Sequence, residues 1–402
     1  MEKTSKQKLS VILFLSVVTV MLFAGILVNQ FISSSMSVNT QGSASPVFLP
    51  TLSSQRCYGT EQDDAYVDAF FVGDDTYVFY NAQSGIMQKE SNDEPLMVTL
   101  EGKLLAVALT PHGFATALLK EDNLSIKLIG FDGIPTASVS ITEKNAELQY
   151  LGYDGNVCIA IKHQGEFDYV LSYVKYNSKL EEIYNRDIYS LYNLSAIACY
   201  PLSNKTVIFF NAQYGSVKRG GYSIIHNESL AMETEYINNV DNCVLLDAKP
   251  YGDGFILTAS TNTSPYIITL NSDMQQTLTE LPNTYENAKI YTDGTVGYIG
   301  LYSTTSVDLM PLDSKRDLVQ RFADDIFDCI FIDGSAVFAL AKNNVTYINH
   351  INTGIVSPII NGAPLSLKLK RNNKLTVFAT LNTHSSILSS KGGIDVYCAT
   401  LL

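Results

Sequence analysis

Two stretches of the chain share a polar ending. Thr76-Tyr77-Val78-Phe79-Tyr80-Asn81-Ala82-Gln83-Ser84-Gly85 is echoed by Thr206-Val207-Ile208-Phe209-Phe210-Asn211-Ala212-Gln213-Tyr214-Gly215. The first ends in the carboxamides Asn81 and Gln83, the second in Asn211 and Gln213 with Tyr214 beside them. A carboxamide donates and accepts hydrogen bonds at once. Next to a phenol ring, that chemistry suits a sugar or a peptide amide. Asn and Gly are also ordinary turn residues, so the echo fits a duplicated hairpin equally well.

Other groups carry weaker chemical signals. Acidic clusters stand at Glu61, Asp63 and Asp64, at Asp74 and Asp75, and at Asp324, Asp325 and Asp328. Hard cations such as Ca²⁺ use oxygen ligands of this kind. The spacing matches neither an EF-hand nor a glycine-rich calcium repeat, so they read as solvated loop carboxylates and no metal site is expected. His163 and Glu166 could act as a base and its orienter, but one such pair is thin evidence. The chain has no Gly-x-Ser-x-Gly elbow. None of its six cysteines forms a C-x-x-C pair, so neither a zinc site nor a thioredoxin-like site is indicated.

The elements that would position these residues are strands joined by repeated turns. Tyr251-Gly252-Asp253-Gly254-Phe255 reads as a strand end, a reversal at Asp253-Gly254 and a strand start. Counterparts occur at Asp75, Gly113, Gly155, Asn204, Gly294, Gly334 and Asn373, spaced 38 to 50 residues apart. A second turn keeps step with the first, at Asp132-Gly133, Asn177-Ser178, Asn227-Glu228, Asn271-Ser272, Asp313-Ser314 and Asn352-Thr353. Within one unit, Val244 to Ala248, Phe255 to Ser260, Tyr266 to Leu270 and Gln276 to Leu281 are β-branched or aromatic runs, as four strands require. A strand-built period near 40 residues specifies an all-β propeller, with eight blades expected and seven as the alternative.

The last unit stops after three strands, at Leu402. The apolar segment 47–52 is expected to supply the fourth and close the ring. Cys57 and Cys398 fall near that seam, and a disulfide between them would clasp it; two unpaired thiols are the other reading.

Ahead of the propeller, residues 1–8 are polar and basic, and Leu9 to Ile32 carries no charge. That length spans ~30 Å of hydrocarbon as a helix, with the preceding lysines held in the cytoplasm. The expected organisation is a tail (1–8), a transmembrane anchor (9–32), a Ser-rich stalk (33–45) and a propeller (46–402). The propeller would then lie outside the cytoplasm at the cell membrane, or be secreted if the N-terminal segment is cleaved. The net charge of −13 repels phosphate backbones, so nucleic acid is not an expected partner.

Asn352-Thr353-Gly354-Ile355-Val356 resembles the Thr-Gly turn between the outer strands of quinoprotein-like and outer-membrane-assembly-lipoprotein-like eight-bladed propellers. Those families place a tryptophan after that turn. This chain contains no Trp, so stacked-tryptophan docking is missing and no quinone or other cofactor is expected. In propellers generally, ligands approach the face that carries the second-to-third-strand loops. The echo would bring Asn81, Gln83, Asn211, Gln213 and Tyr214 toward that face. The function expected is non-catalytic binding or scaffolding of a protein, peptide or cell-wall glycan. The competing expectation is a hydrolase or lyase at the channel mouth.

Overall fold

The second strand of each unit is apolar along most of its length, because it packs against a neighbour on both faces. In Asp75–Asn81 (β3) and Gly254–Ser260 (β19) five consecutive residues are buried. The fourth strands alternate instead: Leu96–Thr99 (β5) and Met232–Tyr236 (β17) expose every second residue, as expected of a strand with one face to solvent. These differences in burial set the radial order within each sheet.

The computed structural model describes residues 51–57 and 66–401, apart from short connecting segments, the longest being 313–319 and 384–392. The anchor and stalk lie outside the described residues, as do Gln83, Glu61, Asp63, Asp64 and Asp324. Thirty-two strands, β1–β32, form eight four-stranded antiparallel sheets. Seven sheets are each built from four consecutive strands. The remaining one joins Pro364–Asn372 (β30), Lys374–Thr383 (β31) and Gly393–Leu401 (β32) to Thr51–Cys57 (β1). The architecture is a β-propeller.

The first strands form the inner ring. Val244–Tyr251 (β18) lies between Asn193–Pro201 (β14) and Asn287–Thr292 (β22). At the closure, β30 lies against both Asp325–Ile332 (β26) and Val67–Val72 (β2), so the inner strands meet end to beginning. In six sheets the inner strand carries a register shift, for instance between Leu104 and Ala106 in Lys103–Thr110 (β6) and between Leu245 and Asp247 in β18. Such bulges bend the strand and turn backbone groups out of the ladder.

The structure moves two expectations. Tyr251 pairs with Gly254, so the two-residue turn is Gly252-Asp253 and Gly254 opens the next strand. Gly252, at φ +57°, supplies the left-handed conformation. The strand paired with β32 is described from Thr51 to Cys57; residues 47–50 of the expected closing strand lie outside the described residues. The disulfide is also ruled out by register. Cys57 lies opposite Ile394 and Cys398 opposite Ser53, an offset of 4 residues. That offset is ~13 Å along the strand, beyond the ~7 Å that a disulfide spans.

β1 enters beside Thr400, at the rim where β31 begins next to its turn from β30. β1 therefore begins on the rim of the first-to-second-strand turns. This will be called the turn face, and the rim of the second-to-third-strand loops the opposite face.

Candidate functional site

The sequence echo folds into a matched pair of inter-blade clamps. Asn81, at the end of β3, is 3% exposed. Its Nδ2 donates to the Leu104 carbonyl at 2.8 Å, and its Oδ1 accepts the Leu104 N–H at 2.8 Å. Asn211, in Lys205–Tyr214 (β15), donates to the Leu245 carbonyl at 2.9 Å and accepts the Leu245 N–H at 2.7 Å. Leu104 and Leu245 both sit at the bulge of the next sheet's inner strand. The bulge turns one N–H and one C=O away from the ladder, and a carboxamide is the side chain that satisfies both. Both carboxamides are thus committed to backbone.

Gly85 and Gly220 complete the two clamps, since each pairs directly with its asparagine. A Cβ on Gly85 would come within 3.0 Å of Leu104 Cβ, and one on Gly220 within 2.6 Å of Leu245 Cγ. The structural equivalent of Gly85 is therefore Gly220, not the Gly215 aligned in sequence. Between Asn211 and Gly220 the second copy carries a longer hairpin, continued by Val217–His226 (β16).

That extension carries the remaining predicted residues. Gln213 is exposed, and its Nε2 donates to the Gly215 carbonyl at 3.2 Å across the tip. Tyr214 is 66% exposed and Val217 42%. Lys218 and Arg219 are also exposed; the Lys218 N–H donates to Asn242 Oδ1 at 3.2 Å, tying the hairpin to the following connection. The Arg219 guanidinium lies 5.9 Å from the Tyr236 ring centroid. Of the five residues singled out by the echo, Asn81 and Asn211 hold seams, and Gln213 and Tyr214 reach solvent.

Carboxylates lock two more seams. Asp247 Oδ1 accepts the Ala248 N–H at 2.9 Å and its Oδ2 accepts the Ile290 N–H, also at 2.9 Å. Asp328 repeats the motif on Cys329 and Leu369, at 3.0 and 2.7 Å. Burial pushes the Asp328 carboxyl above its ordinary value, partly countered by those N–H donors and by Lys368 and Lys289. Asp328 therefore holds a seam rather than a cation. Among the described residues, no three His, Cys, Asp or Glu side chains gather as a metal-holding group.

His163 does not pair with Glu166 in the way the sequence suggests. Its Nε2 lies 2.7 Å from Ser172 Oγ, and that hydroxyl donates to Asp187 Oδ1 at 2.5 Å. With the serine proton committed to Asp187, His163 must donate through Nε2. That is the reverse of what a histidine base activating a serine requires. A similar structural use is made of Lys175, whose ammonium is 2.7 Å from Asp154 Oδ2 and 3.4 Å from Asn227 Oδ1 in the next sheet.

The fold and these clamps define the class: an all-β propeller whose conspicuous polar side chains lock neighbouring blades. No family model matches the chain, and no curated protein matches it. Among solved structures the chain is similar to the Dos1 propeller, at TM-score 0.61 and 10% identity over 87% of this chain and 95% of that one. It is also similar to BamB from Moraxella catarrhalis, at TM-score 0.54 and 12% identity over 87% of this chain and 99% of that one. At such identity the likeness is one of fold.

Proposed function

We propose that this chain is a non-catalytic docking module, an eight-bladed ring held at the outer surface of the cell membrane by residues 9–32, which binds a protein or peptide. The observation that carries the docking is the β15–β16 hairpin, which projects an exposed Tyr214, Val217 and Lys218 from the opposite face. Tyr and Arg are the residue types enriched at interaction hot spots, and the same hairpin exposes Tyr214 and Arg219. The eight sheets, with β30 against both β26 and β2, support the blade number. The uncharged run Leu9 to Ile32 supports the anchor.

A photo-crosslinking residue at Gln213 tests the docking in the native cell, with one at Asp253 on the turn face as control. A discrete adduct is expected from position 213, lost when Tyr214→Ala and Val217→Ala are added. Equal adducts from both positions, or an adduct indifferent to those two changes, would refute the assignment. The anchor is checked separately: alkaline carbonate should leave the full chain in the membrane pellet and release a chain lacking residues 1–32.

A further inference from the structure

On the turn face, the seam between the first two sheets opens into a cavity of about 430 Å³ lined by Asp75, Tyr77, Lys89, Leu96, Phe131 and Asp132. The equivalent seam between the fourth and fifth sheets serves as an internal control. There Leu202, Lys205, Phe255 and Met274 line a space of only about 110 Å³. The turn at Asn271 places Met274 in the lining of that seam, with its carbonyl 3.4 Å from the Tyr222 hydroxyl, which donates to Glu235. The turn at Asp132-Gly133 closes with the same length and the same backbone hydrogen bonds, but Gly133 stands in the place of Met274, packs back onto Leu96 and Val98, and offers no side chain to its own seam.

The chemistry of the open seam is specific. Its floor is aromatic: Tyr77 and Phe131 have ring centroids 5.7 Å apart, and Phe114 lies 5.0 and 5.4 Å from them. The Tyr77 hydroxyl donates to the Phe131 carbonyl at 3.2 Å, fixing the ring across the seam. Its walls carry two carboxylates and one ammonium. Lys89 Nζ sits 2.9 Å from Asp75 Oδ2 and 6.0 Å from the Tyr77 centroid. The cavity thus already holds one cation between a carboxylate and an aromatic face. The second carboxylate, Asp132, is exposed at the mouth and uses Oδ1 to accept the Ile134 N–H at 3.0 Å. The lining is left with one negative charge in excess, above a ring that favours cations.

We infer that this seam cavity is a binding site for an ammonium or guanidinium group on a short aliphatic chain, with Asp132 pairing the charge and Phe131 and Tyr77 receiving the chain. Free amines and the Lys or Arg side chains of a polypeptide share that chemistry. The site lies on the face opposite the β15–β16 hairpin and does not depend on the docking proposal.

Calorimetric titration of the full-length chain with spermidine, L-arginine amide, Gly-Arg-Gly and Gly-Glu-Gly tests the site. The cationic probes are expected to bind saturably and Gly-Glu-Gly not to bind. Asp132→Asn should weaken cation binding about tenfold, as expected for loss of a charged hydrogen bond. Asp253→Asn, which removes the same charge elsewhere on the turn face, should leave it unchanged, and matched melting curves establish that both variants fold. A preference for Gly-Arg-Gly over spermidine points to a polypeptide source, and the reverse to a free amine. Equal weakening by Asp132→Asn and Asp253→Asn, binding of Gly-Glu-Gly, or no saturable binding of any cation would overturn the inference.

Discussion

Replacing Asn81 with Ala should destabilise the propeller without touching its surface. The side chain is 3% exposed and makes two hydrogen bonds to one residue, Leu104, across a seam. Truncation strands a buried N–H and a buried C=O that the bulge has turned away from the ladder. Each stranded group costs about 1–3 kcal/mol, so the expected loss for the two is about 2–6 kcal/mol. Urea unfolding followed by far-ultraviolet circular dichroism reads it as a lower midpoint at unchanged slope. Asn81→Asp sharpens the test, because it keeps the shape and the acceptor for the Leu104 N–H. Protonated, the introduced carboxyl can still donate to the Leu104 carbonyl; ionised, it cannot. Burial raises its pKa in the folded chain, so the folded state binds the extra proton, and stability falls as pH rises from the unfolded value, about 4, through the raised one. Asn211→Ala should cost a similar amount, and the double variant should be additive because the seams share no partner. An Asn81→Ala loss under about 0.5 kcal/mol, the range of an ordinary surface change, would refute the clamp.

Three further outcomes follow from local geometry. Gly254→Ala places a Cβ 1.9 Å from the Leu270 carbonyl oxygen and should cost at least about 3 kcal/mol in thermal unfolding; Gly252→Ala, with nothing within 4 Å but φ +57°, should cost only about 1–2 kcal/mol. Asp308 is held below its usual 3.8, chiefly by its hydrogen bonds to Arg321 and also by Tyr285. Its stabilising effect should be present above that value and lost as pH falls through the lower folded one, so Asp308→Asn should flatten the acid side of the stability curve. Mobility on non-reducing gels should match that on reducing gels, with Cys57 and Cys398 both alkylated in denaturant without reductant.

Repetition made the fold legible, and dependence on backbone atoms concealed the clamps. Gly, Asp or Asn recurs at the turn of every unit because tight reversals need their conformations, so strand number and order can be counted. The one-residue error at Gly252-Asp253 arose because Gly254 looks like a turn glycine, although it is required by the close approach of the Leu270 carbonyl. The asparagine echo was visible and its purpose was not. A bulge at Leu104 or Leu245 is a fact of register, and leucine carries no sign that its N–H and C=O face outward. The Cys57–Cys398 expectation failed on register too, since proximity in the seam says nothing about which residues sit opposite. The seam cavity could not be read at all, because Tyr77 and Phe131 meet across a sheet boundary that sequence spacing does not encode.

The two ends of β3 show how the ring can hold an opening without losing a seam. Asn81 closes the first seam at the opposite face with two buried hydrogen bonds, while Asp75 and Tyr77, at the other end of the same strand, line the cavity on the turn face. A clamp at one rim leaves the other free to diverge, since a seven-residue strand spans ~23 Å between them. At the fourth seam Asn211 plays the same part, but Met274 fills the turn-face end. The two seams thus share a lock and differ at one turn position, Gly133 against Met274, and the side chain there decides which of them is open. Met274→Gly, which gives this turn the residue found at its counterpart Gly133, should therefore open the fourth seam while leaving the Asn211 clamp in place. A melting point lowered as far as Asn211→Ala lowers it would show that the two rims are not independent.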